Sequence, residues 1–240
     1  MKNKKIWTQA FILSVLFLTL LTLMWGCGDN SISSDDNGNG NGNGSNNVSL
    51  SIKTDNVTDN PALIIIEEAK GLITEVEIEQ EPSGTGHHIR INPFVVYFNP
   101  NGALITVTSG TVPSGMYNKI KFKIHKPEDN ETPPDPEFKE GPSGNQRFSF
   151  IIKGKFNGQS FVYKSRKSAN LVVIFPFPIN MQEIARNITV LVNPLLWFKN
   201  GLAELDPRDP NNADIIDNNI KNSFKRAFKD DNKDGLPDDN

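Results

Sequence analysis

The chain has 240 residues, 25 Lys and Arg against 28 Asp and Glu, a net charge of −3 and a single cysteine. A mildly acidic chain has no electrostatic footprint for nucleic acid. One cysteine excludes an internal disulfide, so stability must come from packing, which a chain of this length can supply.

Lys2, Lys4 and Lys5 lead into an apolar run from about Phe11 to Trp25, followed by Gly26 and Cys27. That is the layout of a secretory signal. With Ile6 and Trp7 the run is also long enough for a marginal membrane span. Cys27, directly behind a small residue, resembles the lipobox of bacterial lipoproteins, although Met24 stands where Leu is usual and Trp25 is bulky. The resemblance implies a signal peptide over 1–26, cleavage before Cys27 and acylation of its thiol, with palmitate among the chains. A multiply acylated cysteine is a lasting anchor, whereas a single chain holds only marginally. The expected location is the cell envelope, at the outer membrane or cell surface. The competing reading is an uncleaved helix with a buried thiol.

Residues 27–47 contain almost nothing apolar and four consecutive Asn-Gly pairs. Such a segment cannot bury enough surface to offset its ordering entropy, so a flexible linker is expected. From Val48 the pattern turns to period two, and residues 48–206 are expected to form one β domain. Val48–Lys53 and Ala62–Glu68 read as the first two strands. Leu72–Gln80 alternates, with Val76 and Ile78 on one face and Glu75, Glu77 and Glu79 on the other. Ile89–Phe98 and Ala103–Thr108 flank Asn101-Gly102, a hairpin signal. After a turn at Val112–Gly115, Tyr117–His125 places Ile120, Phe122 and Ile124 inward and Lys119, Lys121, Lys123 and His125 outward. A solvated sheet face or a site for anions would both account for these lysines. If this strand is the antiparallel neighbour of Leu72–Gln80, the lysines face the glutamates.

Residues 126–145 are acidic and rich in proline, and plain disorder is expected there, with a partner-binding loop as the alternative. Phe148–Phe156 and Gln159–Lys164 flank Asn157-Gly158, the strongest hairpin signal in the chain. Leu171–Phe175 and Ile188–Val192 add two strands, and Pro176 and Pro178 forbid a central ladder between them. In 207–229, Ile216, Ile220, Phe224 and Ala227 recur at helical spacing, which predicts an amphipathic helix over about Ala213–Phe228, capped by Asn211 or Asn212. The predicted fold is therefore mainly β, an antiparallel β-sandwich of roughly nine or ten short strands with a C-terminal helix.

Residues 230–240 carry oxygen ligands at Asp230, Asn232, Asp234 and Asp238, a backbone carbonyl at Leu236 and Gly235 at the turn. This spacing follows the first nine positions of a calcium loop. The chain has no glutamate at the twelfth position, and Pro237 replaces the usual hydrophobe. Calcium is the candidate cofactor, and an acidic solvated tail is the alternative.

Glu68-Ala69-Lys70, Pro93-Phe94-Val95-Val96, the run VPSGMYNKIKFKIHKP over Val112–Pro127 and FVYKSRKS over Phe161–Ser168 together resemble an uncharacterised family of bacterial surface lipoproteins with a domain of unknown function. The resemblance implies a β-sandwich on a lipid anchor and brings no catalytic residues. The sequence has no H-E-x-x-H, no G-x-S-x-G and no phosphate-cradling glycine loop. His87 and His88 are placed in a loop, where neighbouring side chains diverge and chelate poorly. Trp197 and Phe198 read as core rather than as a platform for a sugar. Lys164, Arg166 and Lys167 suit either an anion or a sheet edge. These features point to a non-catalytic binding module at the cell surface or in the periplasm, with a protein or glycan partner. The alternatives are a structural or assembly component of the envelope and, behind it, an enzyme with an unrecognised site.

Overall fold

The structure is a computed structural model, and it describes residues 45–54, 63–182 and 185–238. In chain order the first strands are β1 (Ser45–Thr54), β2 (Ile64–Glu81), β3 (Gly86–Tyr97), β4 (Ile105–Pro113) and β5 (Met116–Ile124). A loop with two short strands follows, β6 (Lys139–Glu140) and β7 (Gln146–Arg147). Next come β8 (Phe150–Phe156), β9 (Gln159–Ser165), β10 (Ala169–Asn180) and β11 (Ala185–Val192). The chain closes with the small hairpin β12 (Lys199–Asn200) and β13 (Ala203–Glu204), the helix α1 (Ala213–Asn222) and β14 (Phe224–Lys229).

β2 is the spine. Lys70 pairs with both Tyr97 and Ile151, and Glu75 with both Ile91 and Lys123. So β3 lines one edge of β2, while the other edge takes β8 along its first half and β5 along its second. The two strands expected at Ala62–Glu68 and Leu72–Gln80 are thus one continuous strand. Gly71, in the gap between them, is a packing device: a Cβ there would lie 2.6 Å from the Phe150 ring. β9 extends β8 and β10 extends β5 to complete a six-stranded sheet.

A second, four-stranded sheet has the order β14-β11-β1-β4. Here the all-antiparallel expectation fails at one pairing, because β1 runs parallel to β11. Val48, Leu50 and Ile52 of β1 join Ile188, Val190 and Val192 of β11 and Val76, Ile78, Ile120 and Phe122 of the larger sheet in one core. This is the sandwich that alternation predicts. Trp197 is fully buried in it, edge-on to Phe98 and Phe150 at 5.8 and 5.7 Å, with its Nε1 donating to the Ser223 hydroxyl at 2.8 Å. Trp197 and Phe198 are core residues, as expected.

Four further expectations need correction. Residues 126–145 are folded. Asp135 accepts the Glu137 N–H at 2.9 Å and caps a 3-10 turn over Pro136–Phe138, and Phe138 is fully buried against Leu72, Phe148 and Ile151. Lys70, only 4% exposed, donates to Asp135 at 2.6 Å and to Glu137. Composition gave no weight to a single well-placed aromatic ring. Second, the helix ends at Asn222; Phe224 and Ala227 belong to β14, whose pairing with β11 overrides the helical spacing. Third, Asn101-Gly102 joins strands of different sheets, since β3 pairs β2 and β4 pairs β1. Finally, β1 begins at Ser45, inside the segment expected to be linker.

Candidate metal centre

The glutamate and lysine stripes meet, because β2 and β5 are antiparallel neighbours. Glu75, Glu77 and Glu79 of β2 stand opposite Lys123, Lys121 and Lys119 of β5. Lys119 reaches Glu79 at 2.6 Å, and Lys121 bridges Glu77 and Glu79 at 2.7 Å each. Hydrogen bonds from Lys119 and Lys121 hold the Glu79 carboxyl below its usual range, and those from Glu77 and Glu79 push the Lys121 ammonium up to about 12.

The other edge of β2 supplies the imidazole. A register shift between Val76 and Glu77 sets Glu77 opposite His88 of β3, and His88 Nδ1 lies 3.3 Å from a Glu75 oxygen. One ligand atom each from Glu75, Glu77 and His88 fall within 4.8 Å of one another. Gly86 makes room for this, since a Cβ there would collide with the Glu77 carboxylate. A cleft of about 300 Å³ opens beside the group, bounded by Lys121, Lys123, Asn170 and Val172. Two carboxylates and an imidazole on adjacent strands form a mixed oxygen–nitrogen donor set, which suits zinc, copper or nickel better than calcium.

Its glycine-rich surroundings place His88 in a loop on sequence alone, but it belongs to β3. Adjacent histidines do diverge: His87 turns the other way, edge-on to Tyr117 at 5.9 Å, and its Nε2 is buried without a hydrogen-bond partner. The chelate partners of His88 lie across the sheet instead of beside it in sequence. Two facts could have revealed them, the glutamate stripe and the antiparallel return of the next strand.

The other candidates are distributed differently. Asp230 is fully buried; one of its oxygens accepts the Thr189 hydroxyl at 2.6 Å and the Gly235 N–H at 3.0 Å, the other the Asp234 N–H at 3.1 Å. Asn232 Oδ1 accepts the same Asp234 N–H at 3.0 Å, Asp234 Oδ1 accepts the Leu236 N–H at 2.7 Å, and Asp238 accepts the Asp231 N–H. Among the described residues, Asp230, Asp234 and Asp238 do not bring three ligand oxygens within 4.8 Å of one another. The tail folds onto the four-stranded sheet, where Asn187 donates to the Asp230 carbonyl at 2.9 Å and Lys53 to the Gly235 carbonyl at 3.2 Å. Lys164 pairs with Glu140 at 2.5 Å, Lys167 with Asp214 at 3.3 Å, and Arg166 lies over the Phe148 ring. Cys27 lies outside the described residues.

No family model and no curated protein matches the chain. Among solved structures, MbnP from Methylosinus trichosporium is similar to it. The match has 11% sequence identity and a TM-score of 0.45, and covers 70% of this chain and 86% of that one.

Proposed function

We propose that this chain is a non-catalytic binding module of the bacterial envelope, tethered by lipid on Cys27, which takes up a divalent transition-metal ion at Glu75, Glu77 and His88. The observation that carries the metal reading is the convergence of those three donors on two paired strands. Strands hold a site more rigidly than a loop does, and an imidazole with two carboxylates leaves open positions for water or for a partner's donor. The resemblance to surface lipoproteins supports the anchor and the location.

Lys121 already neutralises Glu77, so an incoming ion must displace it. Titration of the full chain in detergent with zinc, copper and nickel tests the reading. Saturable one-to-one binding is expected, weakened at least about tenfold by His88→Ala and strengthened by Lys121→Met. Binding that ignores both substitutions would place the ion elsewhere, and no binding at all would leave the glutamates as partners of the lysines alone. For the anchor, Cys27→Ser should abolish palmitate labelling and release the protein from the membrane fraction; retention of both would identify an uncleaved helix.

Calcium at the tail is the second reading. It is favoured by one observation, that Asp230 and Asn232 share the Asp234 N–H within a single turn. Without a bidentate glutamate the affinity expected is about 10⁻⁴–10⁻³ M. A calcium response lost in Asp230→Ala with Asp234→Ala, and kept in His88→Ala, would support it.

A further inference from the structure

Two sheets have edges, and this fold covers most of them. β4 runs beside β3, and β14 beside β10, so these four edges face each other across the corners of the sandwich. β10 is blunted further by Pro176 and Pro178 and by a register break between Ile174 and Ile179. β9 has none of these protections. It pairs with β8 alone, over seven residues without proline, glycine or register shift, and among the described residues no strand lies on its other side.

The turn at Asn157-Gly158, with both residues at positive φ, fixes what that edge offers. In a two-residue hairpin the flanking pair, Phe156 and Gln159, exchanges both hydrogen bonds, and alternation then turns the N–H and C=O of Ser160, Val162 and Lys164 away from β8. Phe161 and Tyr163 point into the core, and the Tyr163 hydroxyl is fixed by Asp217 at 2.7 Å. Val162 points outward and is 55% exposed. An exposed edge is usually guarded by free lysines. Here Lys164 and Lys167 are bound to Glu140 and Asp214, so their charges are answered within the chain.

We infer that β9 pairs antiparallel with β9 of a second copy of this chain, about a two-fold axis through Val162. In that register Val162 meets Val162 of the second copy, Ser160 meets Lys164, and Gln159 meets Ser165, so no like charges face each other. The three residues whose backbone groups point outward meet as three pairs that exchange both bonds, giving about six hydrogen bonds. The two exposed valines cover each other on the outer face. A strand that is its own complement favours a second copy over an unrelated peptide, and the two-fold closes the assembly at a dimer.

Sedimentation velocity of the full chain in detergent, with hydrogen exchange read residue by residue, tests the pairing. A dimer should grow with concentration, and only in the dimer should the amides of Ser160, Val162 and Lys164 slow by about tenfold or more. Val162→Pro removes a donor that β8 does not use, so it should leave the hairpin folded and the chain monomeric. If that variant does not fold, Val162→Lys sets like charges on the axis and should act in the same way. A chain that stays monomeric to about 1 mM, a dimer undiminished in these variants, or a dimer whose three amides still exchange fast overturns the inference.

Discussion

Lys70 gives the most exacting test of the packing argument. It is a nearly buried ammonium that holds the 126–147 loop through Asp135 and Glu137, with Glu68 at 3.6 Å. Burial alone would lower its pKa; hydrogen bonds and attraction from the two acids more than reverse this and hold it above its ordinary value. The partners are less buried, with side-chain exposures of 17% for Asp135 and 38% for Glu137, against 5% for Lys70. Removing the two sides of the network should therefore cost different amounts. In Lys70→Met the acids turn to water, and Glu137 keeps Lys153 at 2.9 Å, so the loss should stay near about 1 kcal/mol. In Asp135→Asn with Glu137→Gln the ammonium is stranded inside, a situation that costs about 3–5 kcal/mol. Glu68 recovers part of that, so about 3 kcal/mol is expected. Urea unfolding followed by circular dichroism reads both losses. A Lys70→Met variant as unstable as the double acid variant would refute the asymmetry.

The same network predicts a pH dependence. Hydrogen bonds from Lys70 and Lys153 lower the Glu137 pKa from 4.5 to about 2, so its contribution is complete above pH 4.5 and fades as pH falls towards 2; a loop whose exchange protection is unchanged across that window would contradict this. Phe138→Ala should cost about 3–5 kcal/mol if the loop unfolds with the domain, measured as a shift in the urea midpoint at constant slope. Trp197→Phe leaves the Ser223 hydroxyl without its indole donor and opens space among Phe98 and Phe150, so a loss of about 1–3 kcal/mol is expected by thermal unfolding. Asp230→Ala strands the Thr189 hydroxyl and the Gly235 amide and leaves the Asp234 amide to Asn232 alone, and should speed hydrogen exchange through 231–238 while leaving β2 protected.

What could be read in advance was whatever depends on period two. The inward and outward faces of β2 and β5 follow from alternation, the glutamates and lysines facing each other once the two strands pair antiparallel, and the Asn157-Gly158 turn fixes its own register. The misread stretches share another cause, a local signal overruled by a distant partner. The strands at Ala62–Glu68 and Leu72–Gln80 read as separate until Gly71 between them is seen to make room for the Phe150 ring. Phe224 continues a helical stripe until β11 offers it a ladder. The 126–145 segment looks unable to order itself, but Phe138 and Lys70, contributed from opposite sides of the contact, tie it to the sheet. His88 was hidden for the same reason: its partners come from the preceding strand, and only the register shift at Val76 and Glu77 brings them together.

The place of β1 has a mechanical consequence. The chain enters the domain at Ser45 and passes directly into a strand flanked by β11 on one side and β4 on the other, with eight paired positions on each. A pull along that strand cannot peel away an edge. Both ladders have to slide at once, many bonds loaded in parallel, so the domain should resist extension from this end far better than from the β14 side, where the loaded strand pairs, among the described strands, with β11 alone.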